Sequence, residues 1–236
     1  MKKTILVSLL FAFALTILAF SSCTAKKGFV TKLPKQEIAD VQRFPSLSDI
    51  DILDKHSNSS FCDSLSLLTR TNIDLFLENQ SNIDITGVID IEDTTILLKV
   101  NDEIRQIMGR AFDNKDIAFI PIPPIIDSIL DAQGKRFGLI TYSTGFERSA
   151  TDWGALMKSV AVSLAASMAY SMASGGYYYL FLDDSYTNAF SFIGLMIVDA
   201  QNNNIAFYNN SRLEEKPSRK YCTDRHFMEL YYRYWR

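Results

Sequence analysis

Cys222 and His226 stand four apart near the C-terminus, a spacing that puts both on one face of a helix, where two ligands could meet a metal. Two ligands do not make a site. Asp224 falls on a different face, so a third would have to come from elsewhere, for example Asp63 or His56, the only other histidine. The plainer alternative is a buried cysteine near a surface histidine, and no metal is assigned. Cys62 offers nucleophilic chemistry with either histidine as base, because a thiol at a helix start titrates below its ordinary range. Its flanks, Ser60-Phe61-Cys62-Asp63, lack the local signature of thiol proteases. Glu147 and Arg148 lie in the segment Thr144-Gly145-Phe146-Glu147-Arg148-Ser149, read as a candidate ligand loop directly after a buried strand, where α/β folds bind their ligands. As a solvated turn with one weak ion pair, the same two residues would do nothing. No Gly-x-Ser-x-Gly elbow, phosphate-binding glycine loop or zinc-protease His-Glu pair is present. No catalytic residue and no cofactor is assigned.

A third cysteine has a different chemistry. Lys2 and Lys3 precede an uncharged apolar run from Ile5 to Phe20, followed by Ser21 and Ser22, which is the layout of a secretory signal. The run falls short of the ~20 residues a spanning helix needs. Ala19-Phe20-Ser21-Ser22-Cys23 looks like a lipobox, in which small residues let the processing enzyme reach the bond before a cysteine that carries diacylglycerol. Acyl chains add about 0.8 kcal/mol of membrane affinity per buried CH₂, so two or three of them hold a protein almost permanently. Thr24 follows the cysteine where an aspartate would favour the inner membrane, and Ala25-Lys26-Lys27 replaces the acidic run of surface-exposed lipoproteins. An outer-membrane, periplasm-facing position is expected. In that oxidising compartment Cys62 and Cys222 could pair as a disulfide or remain separate thiols.

These residues need elements to hold them. Residues 1–22 are read as signal peptide, 23–37 as a lipidated, lysine-rich tether and 38–236 as a single periplasmic domain. Phe61, Leu65, Leu68, Leu75 and Phe76 recur at helical spacing behind the capping residues Asp63 and Ser64. Ile83, Ile85, Ile89 and Ile91 read as a strand, and Ile96, Val100, Ile104, Ile107, Met108 and Ala111 as one stripe of a second helix. Pro121-Ile122-Pro123-Pro124 can precede a short helix that Gly134 ends in a left-handed cap, with Phe137 to Tyr142 following as a buried strand. Residues 159–181 carry no charge, with serines and alanines each recurring every fourth residue. They are read as a helix packed inside the domain, with membrane insertion and subunit pairing as alternatives. Phe192 to Val198, a polar turn over Asp199 to Asn204, and Ile205 to Tyr208 form a hairpin, and Tyr221 to Arg236 a closing amphipathic helix. The fold class expected is α/β: a layered sheet with helices packed on it, ending in a β-hairpin and a C-terminal helix.

Ile197-Val198-Asp199-Ala200-Gln201-Asn202-Asn203-Asn204-Ile205-Ala206-Phe207-Tyr208-Asn209 resembles a hairpin of curli-secretion-type lipoproteins, and the elements before it resemble their periplasmic α/β domain. Residues 110–210 resemble Bacteroides-type envelope lipoproteins. What this implies is a periplasmic scaffold, assembly or binding domain, as a homo-oligomer or with an envelope protein partner. Pore formation is not implied, because the chain lacks paired ~10-residue alternating strands for a barrel. The charge balance, 24 Lys and Arg against 27 Asp and Glu, turns further acidic when Lys2 and Lys3 leave with the signal, so no nucleic-acid partner is expected. A tethered hydrolase or thiol enzyme and a membrane-inserting subunit are the rival functions.

Overall fold

The computed structural model describes residues 30–31, 33–54, 58–113, 117–149, 188–231 and 234–235. Cys23, His56 and the uncharged stretch 159–181 lie outside them. Eight strands form one mixed sheet: β1 (Val30–Thr31), β2 (Val41–Arg43), β3 (Leu47–Leu53), β4 (Ser59–Phe61), β5 (Ile85–Val88), β6 (Phe137–Arg148), β7 (Ala189–Asp199) and β8 (Asn204–Leu213). Among the described residues four α-helices pack on it: α1 (Asp63–Asn79), α2 (Thr94–Asp113), α3 (Pro124–Ala132) and α4 (Lys220–Tyr231). The fold is the α/β class read from the sequence, with the terminal hairpin and helix in place.

Strand β6 organises the sheet. Its start runs parallel to β2, its later part parallel to β3, and its whole length antiparallel to β7, from Phe137 opposite Asp199 to Glu147 opposite Ala189. Period-two alternation along β6 and β7 then supplies both faces. Ile140, Met196 and Val198 meet Val100, Ile104 and Ile107 of α2 and Ile126 and Leu130 of α3. Phe137, Leu139, Ile193, Leu195 and Ile197 meet Ile73 and Leu77 of α1 and Phe227 and Leu230 of α4. The sheet is thus covered on both sides.

Local signals explain several boundaries. Pro124 opens α3 at a position where its missing N–H costs no bond. Gly134 takes φ +64° after α3, and the Lys135 N–H returns to the Leu130 carbonyl at 2.9 Å, closing the helix end. In the hairpin, the Asp199 carboxylate accepts from the Asn202 N–H at 3.3 Å, and Asn203 supplies the left-handed residue at φ 48°.

Three expectations are corrected. Val30 and Thr31 pair antiparallel with Tyr208 and Phe207 of β8, and the Lys35 ammonium donates to the Trp235 carbonyl at 3.0 Å, so the later part of the supposed tether belongs to the domain. Glu147 and Arg148 are not in a loop: β6 continues through Arg148 because β3 and β7 pair with it on both sides. In α1 the predicted stripe faces outward in part, with Leu68 and Leu75 exposed, whereas Ser66, Thr69, Asn72, Ile73 and Leu77 are buried. Helical spacing located that helix, but polar residues occupy much of its buried face.

Candidate functional site

Two candidate sites stand out among the described residues, one sealed and one open. In the sealed one, β7 contributes Ser191, β8 contributes Ser211, and α4 contributes Cys222, His226 and Glu229. His226 Nε2 lies 2.7 Å from Ser191 Oγ, and Nδ1 lies 2.9 Å from Ser211 Oγ. The Ser211 hydroxyl donates to Glu229 Oε2 at 2.6 Å, and Cys222 Sγ lies 3.0 Å from Ser191 Oγ.

The carboxylate fixes the direction of every proton. Since Glu229 only accepts, Ser211 spends its hydrogen there and accepts from His226 Nδ1–H. His226 Nε2 is then bare and accepts from the Ser191 hydroxyl, whose oxygen accepts the Cys222 S–H. Burial favours the same neutral imidazole, pushing its pKa down to about 3, with the nearby Arg225 charge adding to the shift. Burial also pushes the Cys222 thiol up to about 11. Ser191 and His226 are each only 1% exposed. Serine and imidazole stand as nucleophile and base would, but both are closed off from solvent.

The sequence had paired Cys222 with His226, and the two do converge, on Ser191 rather than on a metal. No group of three or more His, Cys, Asp or Glu among the described residues is placed to hold a metal ion. The histidine read as a surface residue is buried. Ser191 and Ser211 carry no sequence signal, because a serine in a buried strand looks like any other until its partner is known.

Cys62 and Cys222 are both free thiols. Cys62 precedes α1 at partial exposure, its thiol held below the ordinary range first by the Ser64 hydroxyl, 3.3 Å away, and then by the Leu65 N–H. Glu147 is buried and accepts from the Ser218 hydroxyl and from the Ser218 N–H at 3.2 Å, with the Lys216 ammonium at 3.7 Å. It fastens the approach to α4. The Arg148 guanidinium lies over the Phe146 ring, 5.9 Å from its centroid.

The open place is a gap in the sheet. On one side of the β2–β3 segment, β5 pairs with residues 41–43 and β4 with residues 51–53, so the chain between has no strand neighbour there. A cleft of about 350 Å³ occupies the gap. Pro45, Ser46 and Leu47 form its floor, Val88 to Ile91 its wall at and beyond the carboxyl end of β5, and Arg70 from α1 with Leu97 and Asn101 from α2 its flanks. β5 runs parallel to β2 and β4 antiparallel to β3, so the two strands that flank the gap run in opposite directions. Ser46 is already engaged, donating to Asp74 at 2.6 Å and accepting from Thr141 at 2.8 Å. The side chains of Arg70, Asp90 and Asn101 make no hydrogen bond or ion pair with any described residue.

No protein-family model matches this sequence, and no curated protein is detectably similar to it. A PelC dodecamer from Paraburkholderia phytofirmans and a single-residue variant of it are similar in structure at TM-scores of 0.36 and 0.35, each at 6% identity. The alignments span 86% of this chain and 92% or 93% of theirs.

Proposed function

We propose that this chain is an exported lipoprotein, acylated at Cys23 and held on the periplasmic side of the outer membrane, whose α/β domain binds or helps assemble an envelope partner without catalysing a reaction. The observation that carries the non-catalytic part is the segregation of the polar groups. The serine–histidine pair is sealed under α4, while the cleft exposes a cation, an anion and an amide among aliphatic walls, with its one hydroxyl committed to Asp74. Binding needs the second arrangement; acyl transfer needs the first to be reachable. The anchor is supported by the signal-like residues 1–22 and the small residues before Cys23. No helix among the described residues is long and apolar enough to cross a membrane.

Radiolabelled palmitate fed to expressing cells tests the anchor: label should enter the chain, remain in the outer-membrane fraction and vanish in Cys23→Ala. Label-free, freely released protein would overturn it. The native mass of the detergent-extracted chain then reads assembly directly, a closed oligomer favouring a scaffold and a monomer a tethered binding domain.

A thiol enzyme is the second possibility, and one observation favours it: the lowered, partly exposed Cys62 thiol at the start of α1. Iodoacetamide should then modify Cys62 well before Cys222 in the native protein, and a thiol-dependent activity lost in Cys62→Ser would displace the binding proposal.

A further inference from the structure

We infer that the gap between β4 and β5 is a binding site for a zwitterionic ligand with an aliphatic side chain, of amino-acid to dipeptide size. The inference rests on the proposal that the domain binds rather than catalyses, and it names the chemistry of the ligand. Three features of the cleft point the same way. Its volume, about 350 Å³, lies at the low end of small-molecule sites. Leu47, Ile91 and Leu97 give it an apolar lining. Arg70 and Asp90 line the same cleft with opposite charges, yet neither pairs with the other or with any other described residue.

Two other arginines of the described domain are paired. Arg105 grips Asp49 through two nitrogens at 2.8 and 3.0 Å, and Arg136 grips Asp199 at 3.0 and 2.7 Å. In the cleft the two charges stay apart, as two halves of a recognition site do. A ligand carboxylate matches the planar guanidinium of Arg70, which can hold both oxygens at once. A ligand ammonium matches Asp90, and the Asn101 amide can serve either end, since it both donates and accepts. The aliphatic wall takes the side chain. A fatty acid would leave Asp90 facing apolar chain, and a simple amine would do the same to Arg70, so a molecule carrying both charges fits best.

The test is calorimetric titration of the full-length acylated protein in detergent with leucyl-leucine, 4-methylpentanoate and isoamylamine, alongside Arg70→Gln and Asp90→Asn. Leucyl-leucine should bind saturably. Both single-charge analogues should bind about threefold to tenfold more weakly, and each substitution should cost leucyl-leucine a similar factor, because the charges are solvent-accessible. Both variants are surface changes, so an unchanged circular dichroism spectrum certifies the fold. No saturable binding at millimolar leucyl-leucine, or equal binding by wild type and both variants, would overturn the inference. Tighter binding of 4-methylpentanoate than of leucyl-leucine would also overturn it, in favour of a carboxylate-only site. Palmitate labelling reads the anchor separately, so loss of the ligand and loss of the lipoprotein proposal are distinguishable.

Discussion

Beneath α4, polar side chains from three elements satisfy one another in a single donor chain from Cys222 through Ser191, His226 and Ser211 to Glu229. In the sheet gap, three polar side chains lining one cleft leave one another unpaired. The contrast follows from water. A buried hydroxyl or imidazole without a partner costs about 1–3 kcal/mol, which favours groups under a helix that find each other. A charge at an open cleft keeps its hydration until a ligand replaces it. On the proposed reading, the nucleophile-like geometry satisfies a buried histidine, and the side chains open to a ligand are the unpaired Arg70, Asp90 and Asn101.

The largest effect should come at the sealed end. A Cβ on Gly145 would fall on the Phe190 carbonyl oxygen and lie 3.0 Å from Ser191 Cα. Both are backbone atoms of the neighbouring strand, so Gly145→Ala should destabilise by about 3 kcal/mol or more, read by urea denaturation. Next, His226→Ala removes the centre of the donor chain, leaving Ser191 and Ser211 short of a partner and a cavity between them. It should cost about 2–4 kcal/mol. A cost below about 0.5 kcal/mol would show that the chain contributes little to holding α4 down.

Acid should act through the same residue. The folded imidazole titrates near 3 and the unfolded one near 6.5, so between those values the unfolded state binds the extra proton. Stability from this group is complete above pH 6.5 and falls with acidification by about 1.4 kcal/mol per pH unit down to about pH 3. Denaturation at stepped pH should show that slope, and His226→Ala should flatten it.

Not every buried hydroxyl is satisfied. Ser48, Thr69, Ser143 and Thr223 are buried with no hydrogen-bond partner among the described residues. Ser143→Ala should thus be neutral or stabilising by up to about 1 kcal/mol, and a clear destabilisation would show that its hydroxyl is bonded after all. At the open end, Arg70→Ala and Asp90→Ala should each change stability by less than about 0.5 kcal/mol. A larger loss would mean that these side chains hold the fold and are not free for a ligand.

The α/β class, the proline start and glycine stop of α3, the terminal hairpin and the stripe of α2 were legible along the chain, because caps, turns and periodicity are local. The same local signals misplaced Glu147 and Arg148: a run that looks like a polar loop extends a strand when β3 and β7 offer bonds on both sides. The outward leucines of α1 were likewise invisible, since periodicity reports that a face exists and not which one is covered. Spacing put Cys222 and His226 on one face, yet what they meet there was decided by strands β7 and β8, which the chain brings in from 31 and 15 residues away. The cleft was wholly tertiary. Arg70, Asp90 and Asn101 lie on a helix, beyond a strand end and on a second helix, and they converge only because β5 pairs with β2 and β4 with β3. Sequence fixes what each segment prefers; register between distant strands decides which side chains share a space.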